Sequence, residues 1–339
     1  MGKTLLVTGG AGFIGSCFVL RRIAAGDRVV TLDRLTYCGR KENLADVLEH
    51  PRHTFVEGDI ADVPLVARLL NDHAPDAVVH FAAETHVDRS IAGPEAFVRT
   101  NVNGTVALLD AVTAWWRTLG VEKARDFRFH HVSTDEVFGA LGSNDAPFTE
   151  ASPYAPNSPY SASKAASDHF MRAYGQTYGL PVLITHCSNN YGPRQFPEKL
   201  IPHMSTRALA GETLPVYGNG ANVRDWLYVE DHCAAIDAVL EKAEPGSRYV
   251  IGGDNECDNL TLVRRICAML DRLRPLEGGR SYAEQIEFVA DRPGHDFRYA
   301  IDASRIRAEI GWRPETDPDE ALERTVRWYV ETKEKGECR

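Results

Sequence analysis

In the first half of the chain, short and almost continuously apolar runs alternate with longer stretches whose apolar residues recur every three or four positions. The runs Thr4–Thr8, Arg28–Leu32, Thr54–Val56, Ala77–Phe81, Phe127–Ser133 and Val182–His186 predict strands. Continuous apolar character is expected when helices cover both faces of a parallel sheet. The stretches near Phe13–Ala25, Val63–Asn71, Pro94–Arg117 and Pro159–Tyr178 predict the intervening helices. This alternation predicts an α/β architecture with a doubly wound parallel sheet. Beyond about Asn189 the pattern changes: Pro and Gly become frequent (Gly192-Pro193, Gly218-Asn219-Gly220, Pro293-Gly294) and candidate strands become short. Helices are expected near Val229–Glu241, Thr261–Leu273 and Pro318–Glu334. The second half thus predicts a smaller, discontinuous mixed α/β lobe over the open ends of the sheet. We place the division at residues 1–188 and 189–339, with segments near 221–240 returning to the first part.

Composition narrows the class. The 339 residues are 43% hydrophobic and 25% charged, with a formal net charge of −10. A strongly negative chain is a poor nonspecific ligand for nucleic acid or an acidic membrane, so neither is expected as a partner, and an anionic ligand would need a locally basic pocket. No apolar run approaches the ~20 residues of a bilayer span. The N-terminal residues lead directly into a glycine loop, without signal-peptide architecture. Seven scattered cysteines, none in a Cys-x-x-Cys pair, fit reduced thiols in the cytoplasm rather than a disulfide framework or a zinc site.

The glycine loop Gly9-Gly10-Ala11-Gly12-Phe13-Ile14-Gly15 follows a predicted strand and opens a predicted helix. In that setting glycines let the backbone turn tightly and approach a pyrophosphate, which rests on the free N–H groups of the helix N-terminus. Asp33 ends the second strand 18 residues after Gly15, near the ~20-residue offset of a ribose-binding acid. A carboxylate there repels a 2′-phosphate and points to NAD rather than NADP, although Arg34 beside it pulls the other way. The sheet is therefore of the Rossmann type. Asp59-Ile60 and Phe81-Ala82-Ala83 occupy further strand ends, where an adenine would lie; Asp59 reads equally well as a turn or helix cap.

Tyr160 and Lys164 stand four apart on one face of the helix begun by Pro159. A phenol titrates near ~10, and a neighbouring ammonium together with a cationic nicotinamide would lower that value and make it a usable base. Ser133-Thr134 ends the preceding strand, and Asp135-Glu136 follows. Adjacent strand residues point to opposite faces, so both acids can serve one substrate only where the strand opens into a loop.

The glycine loop, Tyr160-x-x-x-Lys164 and the length together resemble the extended short-chain dehydrogenase/reductases. Val132–Gly139, His80–Ser90, Cys187–Pro193, Phe196–Pro202 and Arg292–Asp296 resemble the signature segments of the dTDP-glucose 4,6-dehydratases within that group, over nearly the whole chain. The resemblance implies oxidation at C4 of a nucleotide hexose by NAD, elimination of water across C5–C6 and hydride return to C6. It makes Asp135 the acid and Glu136 the base, with Tyr160 taking the O4 proton, Thr134 holding O4 and Lys164 holding the nicotinamide ribose. Two carboxyls in different environments can divide such work. It adds Thr36, Thr100 and Asn190 to the cofactor site. It assigns Thr85, Thr134, Asn189, Lys199, Leu200, Pro215, Tyr217, Arg224, Asn259, Arg292 and His295 to the nucleotide sugar. Lys199 and Arg224 suit a diphosphate, with a local pair to Asp225 as the other reading of Arg224. His86 and His295 read as supporting rather than catalytic residues, and no metal-ligand cluster is evident. Relatives pair the helices corresponding to Pro94–Arg117 and Pro159–Tyr178 into a four-helix interface, so a homodimer is expected; packing of Val98, Leu108, Ala166 and Phe170 on their own sheet is the alternative.

Three rivals remain. A 4-epimerase of the same superfamily needs the loop, Tyr160 and Lys164, but has no use for the acid pair. A decarboxylase could use Glu136 but not Asp135. A noncatalytic NAD-binding protein has no reason to keep the full set. UDP-, GDP- or CDP-hexoses are alternative substrates for the same dehydration.

Overall fold

The computed structural model describes residues 2–291 and 295–335. Six strands come from the first half: β1 (Thr4–Thr8), β2 (Arg28–Asp33), β3 (His53–Glu57), β4 (Ala77–His80), β5 (Arg128–Thr134) and β6 (Val182–Cys187). Six more follow, all but β9 of only three or four residues: β7 (Asn189–Tyr191), β8 (Leu214–Tyr217), β9 (Val223–Tyr228), β10 (Arg248–Ile251), β11 (Glu256–Asp258) and β12 (Ile286–Val289). The main sheet has the order β10-β6-β5-β4-β1-β2-β3, and every neighbouring pair is parallel. Chain order reverses between β1 and β4, so the loops after these strands diverge and a crevice opens at the carboxyl ends of the sheet.

Side chains alternate between two fully buried layers. Leu5 and Val7 of β1 join one core with Phe18, Val19, Ile236 and Val239, whereas Leu6 joins the other with Leu70, Leu108 and Phe129. Helices on both faces therefore leave the strands no solvent side, as their unbroken apolar runs imply. Helix Pro159–Tyr178 is closed at both ends. The Ser158 side chain accepts from the Ser161 N–H, Pro159 occupies the first turn, and Gly179 at φ 74° takes the left-handed turn that ends it.

The stretch read as one helix over Pro94–Arg117 is instead three pieces: a turn at Glu95–Phe97, a π-helical segment at Val98–Gly104 and an α-helix at Thr105–Trp116. The cause lies at Asn101, inside the widened turn. Its amide accepts from the Glu84 N–H (2.8 Å) and donates to the Glu84 carbonyl (3.0 Å) and to Ser163 Oγ (2.8 Å). Side-chain bonds thus stitch this segment to the β4 loop and the Tyr160 helix, a common setting for a π-turn beside a functional site.

The second half forms two small sheets, β11-β9-β7 and β12-β8. Of residues 221–240, β9 lies in the first of these. Helix Val229–Lys242 packs beside helix Phe13–Ala24, where Asp237 pairs with Arg21 (2.6 Å) and Arg22 (2.9 Å). Among the described residues no helix is long and apolar enough to cross a membrane. Arg292, expected at the nucleotide sugar, lies outside the described residues.

Candidate active site

The glycine loop packs too tightly for side chains at two of its positions. Gly9 has φ +72° and a Cβ there would stand 2.6 Å from the Ala82 nitrogen; a Cβ on Gly15 would stand 2.2 Å from the Gly9 carbonyl oxygen. Helix Phe13–Ala24 begins at Gly12 without a side-chain cap, which leaves its first N–H groups and the positive end of its dipole for an anion. Asp33 is buried and takes the Ala11 N–H (2.9 Å) and the Leu35 N–H (2.8 Å), one on each oxygen. Each oxygen keeps a lone pair for a ribose hydroxyl. Asp59 caps the Ala61 N–H (2.9 Å) and pairs with Arg34 (3.0 Å) while also lining the cavity, so its two readings coexist. The pairing draws the Arg34 charge toward Asp59. Every residue expected at the cofactor, from the glycine loop through Asp33, Thr36, Ile60, Phe81, Ala82, Ala83 and Thr100 to Tyr160, Lys164 and Asn190, lines this one cavity. An uncapped helix end, a glycine cradle and a buried acid at the second strand fit a dinucleotide.

At the other end of the cavity β5 stops at Thr134, and Asp135–Phe138 curls into a single 3₁₀ turn. The turn breaks the alternation of the strand, and Asp135 and Glu136 both face the cavity with Thr134, Tyr160 and Lys164. Thr134 Oγ1 donates to Asp135 Oδ1 (3.3 Å) and accepts from the Glu136 N–H (3.3 Å), and Ser161 Oγ donates to Glu136 Oε2 (3.3 Å). Burial, then the nearby Glu136 charge, pushes the Asp135 carboxyl well above the usual carboxylate range. Its Oδ2 is buried with no partner. Burial also raises Glu136, but the Lys199 and Arg224 charges and Ser161 oppose it. Both carboxyls are therefore raised, but Asp135 has less to oppose burial and holds its proton the more firmly of the two.

Lys164 stands in the cavity wall with Tyr160. Its ammonium donates to the Val132 carbonyl (2.9 Å). Burial, followed by the Glu136 charge, drives the Tyr160 phenol well above its ordinary value, and a hydrogen bond with Thr134 works against them. Burial itself brings the Lys164 ammonium down to about 8, against the charge of Asp168.

Asp168 was missed by sequence reasoning, although at four residues beyond Lys164 it shares the same helix face. It is fully buried; Ser133 Oγ donates to its Oδ2 (3.0 Å), His186 Nε2 lies 2.9 Å from the same oxygen, and His131 Nε2 lies 3.3 Å from Oδ1. Glu198 was also missed, within a segment that was singled out. It lines the cavity, accepts from Tyr37 Oη (2.9 Å) and lies 3.4 Å from His86 Nε2.

The residues expected at the nucleotide sugar divide into two groups. Thr85, Asn189 and Lys199 line the cavity, and Lys199 Nζ donates to the Thr85 carbonyl (3.1 Å). Among the described residues Leu200, Pro215, Tyr217, Arg224, Asn259 and His295 are not in its wall. Arg224 donates to the carbonyls of Asp296 (2.9 Å) and Val223 (2.7 Å) and lies over the Tyr299 ring (4.3 Å), yet its charge reaches both acids. Asp225 meanwhile accepts the N–H groups of Gly253 and Asn255 (both 2.8 Å). Asn259 opens helix Asn259–Leu273 with a buried, unpartnered Oδ1. Tyr217 and His295 meet edge to face (6.2 Å), and His295 Nδ1 lies 2.7 Å from Asp291.

Residues 6–325 match the family described as GDP-mannose 4,6 dehydratase. The dTDP-glucose 4,6-dehydratase of Xanthomonas campestris pv. campestris (strain B100) is 58% identical over 327 residues, covering 96% of this chain and 93% of that protein. The crystal structure of DesIV, a dTDP-glucose 4,6-dehydratase from Streptomyces venezuelae with NAD and TYD bound, aligns with a TM-score of 0.87 at 48% identity over 98% of both chains. A UDP-glucose 4-epimerase from Thermotoga maritima reaches a TM-score of 0.85 at 28% identity, over 97% of this chain and 99% of that one. Dehydratase and epimerase thus share the backbone, and the site has to separate them.

Proposed function

Because the chain belongs to the GDP-mannose 4,6 dehydratase family, and within it to the dTDP-glucose 4,6-dehydratases, we propose that its cavity carries out the following division of labour. The enzyme is an NAD-dependent hydro-lyase that converts dTDP-glucose to dTDP-4-keto-6-deoxyglucose. Bound NAD would supply the hydride acceptor for C4 and the hydride donor for C6, with no net change over a turnover. Gly9, Gly12 and the N-terminus of helix Phe13–Ala24 hold its pyrophosphate, Asp33 its adenosine ribose, and Lys164 its nicotinamide ribose.

Tyr160, as the phenolate that the Lys164 ammonium and the cationic nicotinamide together would favour against the burial that raises it, removes the O4 proton while Thr134 holds O4. The resulting 4-ketone acidifies the C5 proton, which Glu136 takes. Asp135, kept protonated by burial, delivers its proton to the departing 6-hydroxyl, which leaves as water. Glu136 then returns its proton to C5, and the proton that Tyr160 took from O4 balances the one Asp135 gave up, both groups being reset by exchange with solvent. Lys199 and Arg224 supply the positive charge for the diphosphate, and Asn189, Asn259, Thr85 and the Tyr217–His295 patch contact the rest of the nucleotide sugar. The observation that carries this reading is the 3₁₀ turn at Asp135–Phe138, which puts two carboxyls beside Tyr160 in one cavity. Mass spectrometry of the product formed from dTDP-glucose tests it. Loss of one water is expected. A C4 epimer of unchanged mass, or no reaction with dTDP-, UDP-, GDP- or CDP-hexoses, would overturn it.

We also read the protein as a cytoplasmic homodimer. Val98, Phe170 and Tyr178 are exposed on the relevant helical elements, a surface suited to a second copy. Leu108 by contrast is buried in its own core. Light scattering is expected to give twice the chain mass, and a monomer at micromolar concentration would exclude the pairing.

A further inference from the structure

A buried charge cluster lies behind β5, on the side of Lys164 away from the acids. Lys164 Nζ is 3.5 Å from His131 Nε2, and the same nitrogen is 3.3 Å from Asp168 Oδ1. Lys164, His131, Asp168 and His186 are all buried. We propose that Asp168 is a positioning residue for the sugar oxidation: set across the His131 imidazole from Lys164, it is the fixed negative charge that keeps the Lys164 amine cationic inside the protein.

An ammonium with no water around it needs a counter-charge or it gives up its proton. The groups that face Lys164 can be taken element by element. Its own helix presents Tyr160 and Asp168. β5 presents His131 and the Val132 carbonyl. β4 presents His80, whose ring lies 5.2 Å from that of His131, and β6 presents Cys187. Burial carries His131 down to about 4 and Cys187 up to about 12, so both are neutral near pH 7, and His80 is likewise driven well below its usual value. Asp168 is the one fixed anion in this set. Burial tends to raise its carboxyl, but His186 and His131 outweigh burial and hold it far below the carboxylate range. Its Oδ2 is clamped by Ser133 and His186, whereas Oδ1 has no partner of good hydrogen-bond geometry and faces His131.

This inference rests on the role given to Lys164 above, and its consequence is a pH effect. Burial lowers Lys164 to about 8 and Asp168 opposes that fall, so the cation is present below about pH 8 and lost above it. Removing the Asp168 charge should lower the value further. The experiment is the pH–rate profile of the holoenzyme with dTDP-glucose for the wild type, Asp168→Asn and Asp168→Glu. The wild-type rate should fall as pH rises through about 8. In Asp168→Asn that descending limb should move by about one pH unit or more to lower pH, and Asp168→Glu, which keeps the charge but shifts it, should bring it back to within roughly a few tenths of a unit of the wild type. A slower Asp168→Asn enzyme whose limb stays at the wild-type pH would mean that Asp168 only braces the helix, and overturns the proposal. If Asp168→Asn does not fold, Asp168→Glu and Ser133→Ala carry the test, since each shifts the carboxylate without removing it. Each should displace the limb by roughly a few tenths of a unit, and limbs unmoved in both overturn the proposal. A wild type that does not dehydrate dTDP-glucose refutes the functional reading; a normal wild type with unmoved variants refutes this inference alone.

Discussion

Two carboxyl groups flank the end of β5 and both are buried, yet they are driven in opposite directions. Asp135, in front, is raised well above the ordinary range, and Asp168, behind, is held far below it. Burial is the largest influence on each and raises each. The difference is the company they keep. Asp135 has another acid beside it, an oxygen with no partner, and a cation, Arg224, that is occupied by carbonyls. Asp168 has a hydroxyl and two imidazoles directed at it. Burial alone therefore does not assign a role to an acid. The donors around it separate a proton donor from a structural charge.

The largest effects should come from emptying the front pair. Asp135→Asn and Glu136→Gln should each lower turnover of dTDP-glucose by about 10²–10⁴-fold, the usual worth of a positioned acid or base. Oxidation at C4 does not use these groups, so bound NAD should still be reduced, visible as the absorbance of the reduced nicotinamide on rapid mixing. Wild-type dehydration rates in both variants would remove the distinction between the front and back acids.

Next in size is a loss of stability at the back. Asp168→Ala leaves Lys164 without its counter-charge and strands the hydrogen-bond groups of Ser133 and His186, a change worth about 3 kcal/mol or more in comparable buried clusters. Denaturant unfolding at pH 7 measures it. The pH dependence has opposite signs at the two sites. Asp168 titrates lower in the folded than in the unfolded chain, so its contribution is present above the unfolded value of about 4 and disappears as pH falls through and below it. Asp135 titrates higher when folded; its contribution is present below about 4 and disappears as pH rises through its raised value. Asp135→Asn should accordingly be no less stable than the wild type at pH 7 and gain about 1 kcal/mol, a cost that active sites commonly carry. If Asp168→Ala and Asp135→Asn lost stability equally, the contrast would fail.

Much of the front was legible in the sequence because its signals are local. The glycine loop, the offset to Asp33 and the Tyr160–Lys164 spacing each lie within one element or one β-α step, where chain distance fixes spatial distance. The back was only half legible. Asp168 continues the face of Tyr160 and Lys164, but its partners come from β5 and β6, and only their register brings Ser133 beside His186. The Pro94–Arg117 stretch misled because a π-turn preserves the apolar content of a helix while shifting its phase. The cause, Asn101 bonded to Glu84 and Ser163, is invisible in periodicity. Strands β7 to β12 span three to six residues, too few for a period to show. Arg224 depends on carbonyls more than 70 residues away, which no local spacing announces.

The smallest test concerns how the front pair is kept unequal. Ser161 Oγ donates to Glu136 Oε2 at 3.3 Å and is among the groups that oppose the rise of Glu136, after the charges of Lys199 and Arg224. Ser161→Ala removes a hydrogen bond to a carboxylate, worth about 1 kcal/mol or about fivefold. Its effect should be directional. With less opposition to burial, Glu136 titrates higher, so the base form appears later as pH rises. The ascending limb of the pH–rate profile should therefore move to higher pH, and the rate at high pH should recover toward that of the wild type. A uniform loss at every pH would mean that Ser161 acts by positioning Glu136 rather than by holding its charge. The asymmetry of the pair would then rest on Lys199 and Arg224 alone, and Lys199→Met should produce the shift that Ser161→Ala did not.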